Sequence, residues 1–328
     1  MYWPFREDGS PTLSNDVTAR GDVPLARDTA AGRTYFGSAA VCDMAGRVIA
    51  SFGNPHRIIF LRSMSKIARA TALIEEGLLP GDPGPVLALA AGSHIGSEVH
   101  LEALEKMATD LRVDIGDLRT SIRRRLGSSG SPLPSVSDVK ARLQNECSGE
   151  HIAALALARK FGDATYLDKD GPVQTAFRRI LERYVPDVRH GGGRDHCGMP
   201  AVRASLASVA GGFARLAVGS GGRGAVLTEA IIRNANLYGG SGQYSTALVD
   251  ATRGEVIAKG GLGGSYGLWW PGLGVGAAVR VLGGEHAAAA AVLPLLAERA
   301  SVPYPQVPPP YFFDDGSISE LRAVTSNT

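Results

Sequence analysis

Charge of one sign is what this sequence most plainly lacks. Its 328 residues carry 34 Lys and Arg against 32 Asp and Glu, a formal net charge of +2. No like-charge run exceeds Arg123-Arg124-Arg125. A nucleic-acid partner would need a basic stripe, so none is expected, and the three arginines read as the wet face of a helix. Long apolar runs are missing too. None reaches the roughly 18 residues of a membrane helix, Ala287–Leu295 coming nearest; no membrane partner is expected. Met1–Gly9, with Arg6, Glu7 and Asp8, lacks the apolar core of a secretory signal. Cysteine is scarce: Cys42, Cys147 and Cys197 are an odd, sparse set that excludes a disulfide scaffold and suits a reducing cytoplasm. Internal repeats are absent, and so is the regular strand–helix alternation of a doubly wound parallel sheet.

What is present is an ordinary globular balance, 44% hydrophobic and 20% charged. Residues 1–32 mix Pro, Asp, Gly, Thr and Arg without periodicity and read as an N-terminal extension. From 33 to 328 the pattern fits one domain. Thr34–Cys42 and Arg47–Phe52 flank Asp43-Met44-Ala45-Gly46 as a hairpin, and Ile58–Leu61 follows as a strand. Helices are expected over Met64–Glu76, Ser97–Leu111, Asp117–Leu126, Val139–Leu143, His151–Phe161, Val173–Tyr184, Val202–Leu216 and Ala225–Leu237. Gly127–Pro134 and Gly191–Gly193 read as separators. Strands return at Tyr244–Asp250, Glu255–Lys259, Ser265–Trp270 and Gly274–Leu282. The helix Glu285–Arg299 follows, kinked at Pro294, and Phe312–Arg322 reads as a last strand or edge tail. Strands at 34–61 and 244–282 with helices at about 97–238 between them predict an α+β fold. Its antiparallel sheet is built from both termini, with an inserted helical lobe and a cleft between the two.

Arg62-Ser63-Met64-Ser65-Lys66 contains the spacing S-x-x-K. At the start of a helix, residues three apart share a face, so the hydroxyl of Ser63 and the amine of Lys66 become neighbours. Serine is a poor nucleophile until a base takes its proton, and lysine can do so only when neutral, a form that burial or a nearby cation favours. The helix start stabilises developing negative charge. A strand before the motif and a helix after it is where serine β-lactamases and penicillin-binding proteins place their nucleophile. Their S-D-N loop is absent here, while Lys259-Gly260-Gly261 partly echoes their K-T-G strand.

Two short stretches, Cys147-Ser148-Gly149-Glu150-His151 and Asp195-His196-Cys197, bring together two thiols, two imidazoles and two carboxylates. Thiolates with imidazole or carboxylate suit zinc. His151 and His196 read equally as ligands or as partners of ligands, and the alternative is two buried cysteines that simply fill space.

These segments, with Ser93-His94-Ile95-Gly96 and His100, Asp195-His196-Cys197-Gly198-Met199-Pro200, Gly240-Ser241-Gly242 and Lys259-Gly260-Gly261, occur in one order. Together they resemble the Rhizobium-type L-asparaginase (asparaginase II) family, over about Thr34 to Arg322. The resemblance implies a fold similar to serine β-lactamases and glutaminases, hydrolysis of a side-chain carboxamide, and a homodimer. It implies two catalytic pairs, Ser63/Lys66 and Ser93/Lys259, and substrate contacts near Arg62, His94, Gln243 and Gly261. It also implies a zinc site at Cys147, Glu150, Asp195 and Cys197. Four positions depart from the family's pattern: Glu150 for lysine, Arg69 for glutamine, Ile67 for proline and Gln243 for arginine. Arginine would grip a substrate carboxylate through a bidentate contact, and glutamine cannot. The expectation is an amidohydrolase acting on asparagine or a related small amide. The alternatives are a same-fold amidase or acyltransferase on another substrate, or a non-catalytic member.

Overall fold

A computed structural model describes residues 21–28, 32–121, 139–163, 165–218, 222–284, 286–305, 307 and 321–323. The chain opens with β1 (Val23–Asp28), β2 (Arg33–Asp43), β3 (Val48–Phe52) and β4 (Ile58–Phe60). A 3₁₀ turn at Arg62–Met64 leads into α1 (Ser65–Glu75), α2 (Gly84–Ala91), α3 (Glu98–Asp110), α4 (Val139–Leu143), α5 (Ser148–Phe161) and α6 (Pro172–Tyr184). Then come β5 (Arg189–Arg194), β6 (Pro200–Ser205), α7 (Leu206–Val218), α8 (Arg223–Arg233), α9 (Ala235–Tyr238) and α10 (Tyr244–Thr252). The chain closes with β7 (Ile257–Gly261), β8 (Gly263–Trp270), β9 (Val275–Gly284), α11 (His286–Arg299) and β10 (Leu321–Ala323).

The main sheet runs β10-β1-β2-β9-β8-β7, with β3 also paired to β2, and every neighbour is antiparallel. It is therefore assembled from both ends of the chain, as the strand–helix–strand pattern predicts. Period-2 alternation divides its faces. Ala40, Cys42, Ile257, Trp269 and Ala278 join the core shared with the helical lobe. Ala39, Val41, Ala258, Leu268 and Val279 join the core beneath α11. Helix α7 lies so close to the first face that a Cβ at Gly276 would stand 2.2 Å from the Ala210 carbonyl oxygen.

Several expectations are corrected. Part of the expected extension 1–32 is β1, held between β2 and β10. Tyr244–Asp250 is helix α10, not a strand. Its buried residues Tyr244, Leu248, Val249 and Thr252 recur at helical spacing, and Thr246 Oγ1 ties the first turn to the Gly240 N–H at 3.0 Å. The hairpin in this region is β7–β8. The glycines of Gly191–Gly193 lie inside β5 with φ of 91°, 100° and 112°, open to residues without a Cβ. With β4 and β6 they form a second, three-stranded sheet, and the helix expected from Val202 begins only at Leu206. Of Asp117–Leu126, Asp117 ends a 3₁₀ turn and 118–121 are not helical. Residues 122–126, with the arginine run, and 312–320 lie outside the described residues.

Candidate active site

Lys66 sits in the first turn of α1, a helix buried almost all round. Its side chain, 1% exposed, spends its donors on the Gly92 carbonyl at 2.9 Å, the Glu146 carbonyl at 3.1 Å and Ser93 Oγ at 3.3 Å. Lys259, on β7 and 2% exposed, has its amine 2.7 Å from Ser93 Oγ and donates to the Gly260 carbonyl at 3.1 Å. Ser93 thus stands between the two amines. Its loop is pinned by backbone bonds from Ser93 N to Tyr238 O and from Ile95 N to Gly239 O. Gly92 is required there, since a Cβ would meet the Tyr238 carbonyl at 2.3 Å.

Burial, then the neighbouring Lys66 charge, holds the Lys259 amine well below its ordinary 10.5. Burial pushes Lys66 the same way, but the negative charges of Cys147, Glu150, Cys197 and Glu146 together carry it above its ordinary value. The two amines are therefore pushed in opposite directions, Lys66 up and Lys259 down, with a hydroxyl between them.

Ser63 is half-buried at the entry to α1. It lines a small cleft with Arg62, Lys66, Cys147, Glu150, Asp195, His196, Cys197 and Leu262. No hydrogen bond joins Ser63 to Lys66, so the expected Ser63/Lys66 pair shares a cleft, and the lysine's hydrogen-bonded serine is Ser93. The residue before Ser63, Arg62, holds a left-handed φ of 50°, a strained setting for a non-glycine residue. Its guanidinium lies over Phe60 and donates to Asp195 Oδ1 at 2.8 Å.

The other expected substrate contacts lie elsewhere. His94 is buried, its Nδ1 accepts from Gly96 N at 3.2 Å, and its Nε2 meets Ser148 Oγ at 3.0 Å. It braces the Ser93 loop and does not line the cleft. Gln243 caps the start of α10, also away from the lining. Gly261 lets β7 approach the Ser63 turn, because a Cβ there would stand 3.1 Å from the Leu61 carbonyl.

The cysteine segments converge at the floor of the cleft. Ligand atoms of Cys147, Glu150 and Cys197, all buried, lie within 4.8 Å of one another, and so do those of Glu146, Cys147 and His196. The expected fourth ligand, Asp195, belongs to neither group; Arg62 draws it away. His151 is no ligand either. His151 Nδ1 lies 2.8 Å from Tyr166 OH, which also accepts from Arg119 N. Burial keeps the His151 ring neutral, its value lowered to about 3. Hydrogen bonding to Cys197 lowers the Cys147 thiol against the effect of burial, and Cys197 is raised in return. Two soft sulfurs beside a carboxylate fit zinc, so the donor set passes on chemistry.

Sequence reasoning missed Glu146, whose carboxylate meets His196 Nε2 at 2.9 Å; its place directly before Cys147 was the available signal. It also missed the partner of Glu150. Arg69 Nη1 donates to Glu150 Oε1 at 2.8 Å, both side chains nearly fully buried.

A family model described as L-asparaginase II matches residues 23–308. No curated protein matches the chain. Among solved structures, a β-lactamase from Mycobacterium bovis is similar at 18% identity and a TM-score of 0.37, over 87% of this chain and 98% of that one. EstCE1, described as a hydrolase with promiscuous acyltransferase activity, is similar at 12% identity and a TM-score of 0.41, over 78% and 93%.

Proposed function

The chain belongs to the L-asparaginase II family, and from that premise we propose that it hydrolyses a small carboxamide, with Ser63 as nucleophile and Lys66, Ser93 and Lys259 as its proton relay. The observation that carries this reading is Ser93 Oγ within hydrogen-bond reach of both amines, at 2.7 and 3.3 Å. A hydroxyl so held is suited to passing a proton, whereas Ser63 in the cleft is free to attack.

The steps balance as follows. Charged Lys66 gives a proton to Ser93 Oγ as Ser93 gives its own to neutral Lys259. Lys66, now neutral, takes the Ser63 proton while Ser63 Oγ forms a bond to the amide carbon. The positive end of the α1 dipole favours the negative charge on the carbonyl oxygen. The relay runs back, a proton reaches the amide nitrogen, and the C–N bond breaks to leave a Ser63 ester. Water then attacks the ester carbon, its proton passes through the same relay to Ser63 Oγ as the bond between that oxygen and the acyl carbon breaks, and the carboxylic acid leaves.

Zinc held by Cys147, Cys197 and Glu150 would supply a Lewis acid that orders this end of the cleft. The cleft is small and suits a compact substrate. Gln243 in place of the family's arginine favours a related amide over asparagine itself. The family likeness also supports a homodimer, which sedimentation would test.

Ammonia or amine release from asparagine, glutamine and a panel of small amides would be measured for wild type, Ser63→Ala and Ser93→Ala. The expected result is turnover of at least one amide, an ester trapped on Ser63, and a drop of about 10²–10⁴-fold in Ser93→Ala. An ester found on Ser93, or full activity in Ser63→Ala, would overturn the assignment.

A further inference from the structure

We infer that Arg69 is a positioning residue for a metal centre: its guanidinium holds the Glu150 carboxylate beside the thiols of Cys147 and Cys197 and ties together the two segments that carry them. The inference rests on the reading that these thiols hold zinc, and deepens it by naming what orients the oxygen donor.

Three observations carry it. First, Arg69 spans both ligand-bearing segments. Nη1 reaches Glu150 Oε1 on α5 at 2.8 Å, and Nη2 reaches the carbonyl of Pro200, three residues after Cys197, at 3.0 Å. Second, the guanidinium is 3% exposed and lies 5.7 Å from the Phe177 ring centroid, so it cannot swing away into water. Its Nε is buried without a partner. An orphaned donor is costly, and here the two acceptors, not the arginine's own needs, set the orientation. Third, the charges close. Two thiolates and a carboxylate bring three negative charges to a divalent ion, and the Arg69 guanidinium, with the Lys66 ammonium nearby, offsets the excess. A carboxylate ligand steadied by a hydrogen-bonding partner is the usual outer-shell arrangement, and loss of such a partner typically weakens metal binding about 10–100-fold.

The test uses full-length wild type, Arg69→Gln, Arg69→Lys, Glu150→Gln and the Arg69→Gln/Glu150→Gln double variant. Each is stripped and titrated with Zn²⁺ against a chromophoric chelator. Each is also titrated with Co²⁺ while the thiolate-to-cobalt and d–d absorption is recorded. Wild type is expected to bind the ion, and each Gln variant to bind it about 10–100-fold more weakly. The double variant should be no weaker than Glu150→Gln alone, because Arg69 acts through Glu150. Arg69→Gln should shift the d–d bands, and Arg69→Lys should recover part of the affinity. Unchanged affinity and spectrum in Arg69→Gln, or additive losses in the double variant, would overturn the role. If Arg69→Gln does not fold, Arg69→Lys against wild type decides: weaker binding and shifted d–d bands support the role, and wild-type affinity and spectrum overturn it. A wild type that takes up no ion removes the metal reading and this inference together; a wild type that binds while Arg69→Gln binds equally well removes the inference alone.

Discussion

Ser93 has one hydroxyl proton and two amines within reach of it. Which amine holds a proton at rest follows from burial and neighbouring charge, and that gives a signed pH dependence. Lys259 accepts only when neutral, so kcat/KM should fall as pH drops through its lowered value. In Lys259→Arg that limb should vanish along with most activity, because a guanidinium does not deprotonate; pH–rate profiles of the two proteins decide it. The same group links pH to stability. The unfolded chain binds the Lys259 proton up to about 10.5 and the folded chain does not, so stability contributed here rises with pH across that window. Lys259→Met should flatten the rise, read from melting temperatures taken across the alkaline range. At this scale the sequence was partly legible. Helical spacing puts Ser63 and Lys66 on one face, but the partner Lys66 reaches is 27 residues away and the one Glu150 reaches is 81 away. No local rule gives such pairings.

Among the elements, α10 is the clearest case of tertiary override. Tyr244, Thr246 and Val249 are strand-favouring residues, yet their burial at helical spacing against β7 decides the outcome. The small sheet escaped notice because β4 is three residues long and β5 is built on glycines, neither giving a period to read. Helix α7 shows what packing demands of sequence. At Gly276 a Cβ would meet backbone at 2.2 Å, whereas at Gly267 it would meet the Phe213 ring at 1.8 Å. A ring can turn aside and a backbone cannot. Gly276→Ala should therefore destabilise by about 1–3 kcal/mol or more, and by more than Gly267→Ala. Urea midpoints at unchanged m-value would show it; equal midpoints would refute the ranking.

For the molecule as a whole, the decisive pattern was strands at both ends with helices between, and the sheet follows it. The strand order was not readable, since it depends on which edges meet in space. Its most exposed dependence is β1, which separates β2 from β10, with Asp22 just ahead of it bonded to Ser38 and paired with Arg57. Deleting residues through Asp28 removes these ties and leaves an unpaired edge along Arg33–Gly37 of β2. Such edges invite association with other chains. That truncation should lose soluble, unaggregated yield and cooperative melting, measured by size-exclusion chromatography and circular dichroism. A soluble truncate with wild-type melting would contradict the role given to β1.

A sheet closed by its far end also sets a timetable. Ser93 and Lys259 are separated by 166 positions, and at ribosomal speeds of 5–20 residues per second that interval is roughly 8–33 s. During it, Lys66 has left the ribosome without the strand that carries its counterpart. On the proposed relay, the nascent chain lacks the second amine for the whole of that interval.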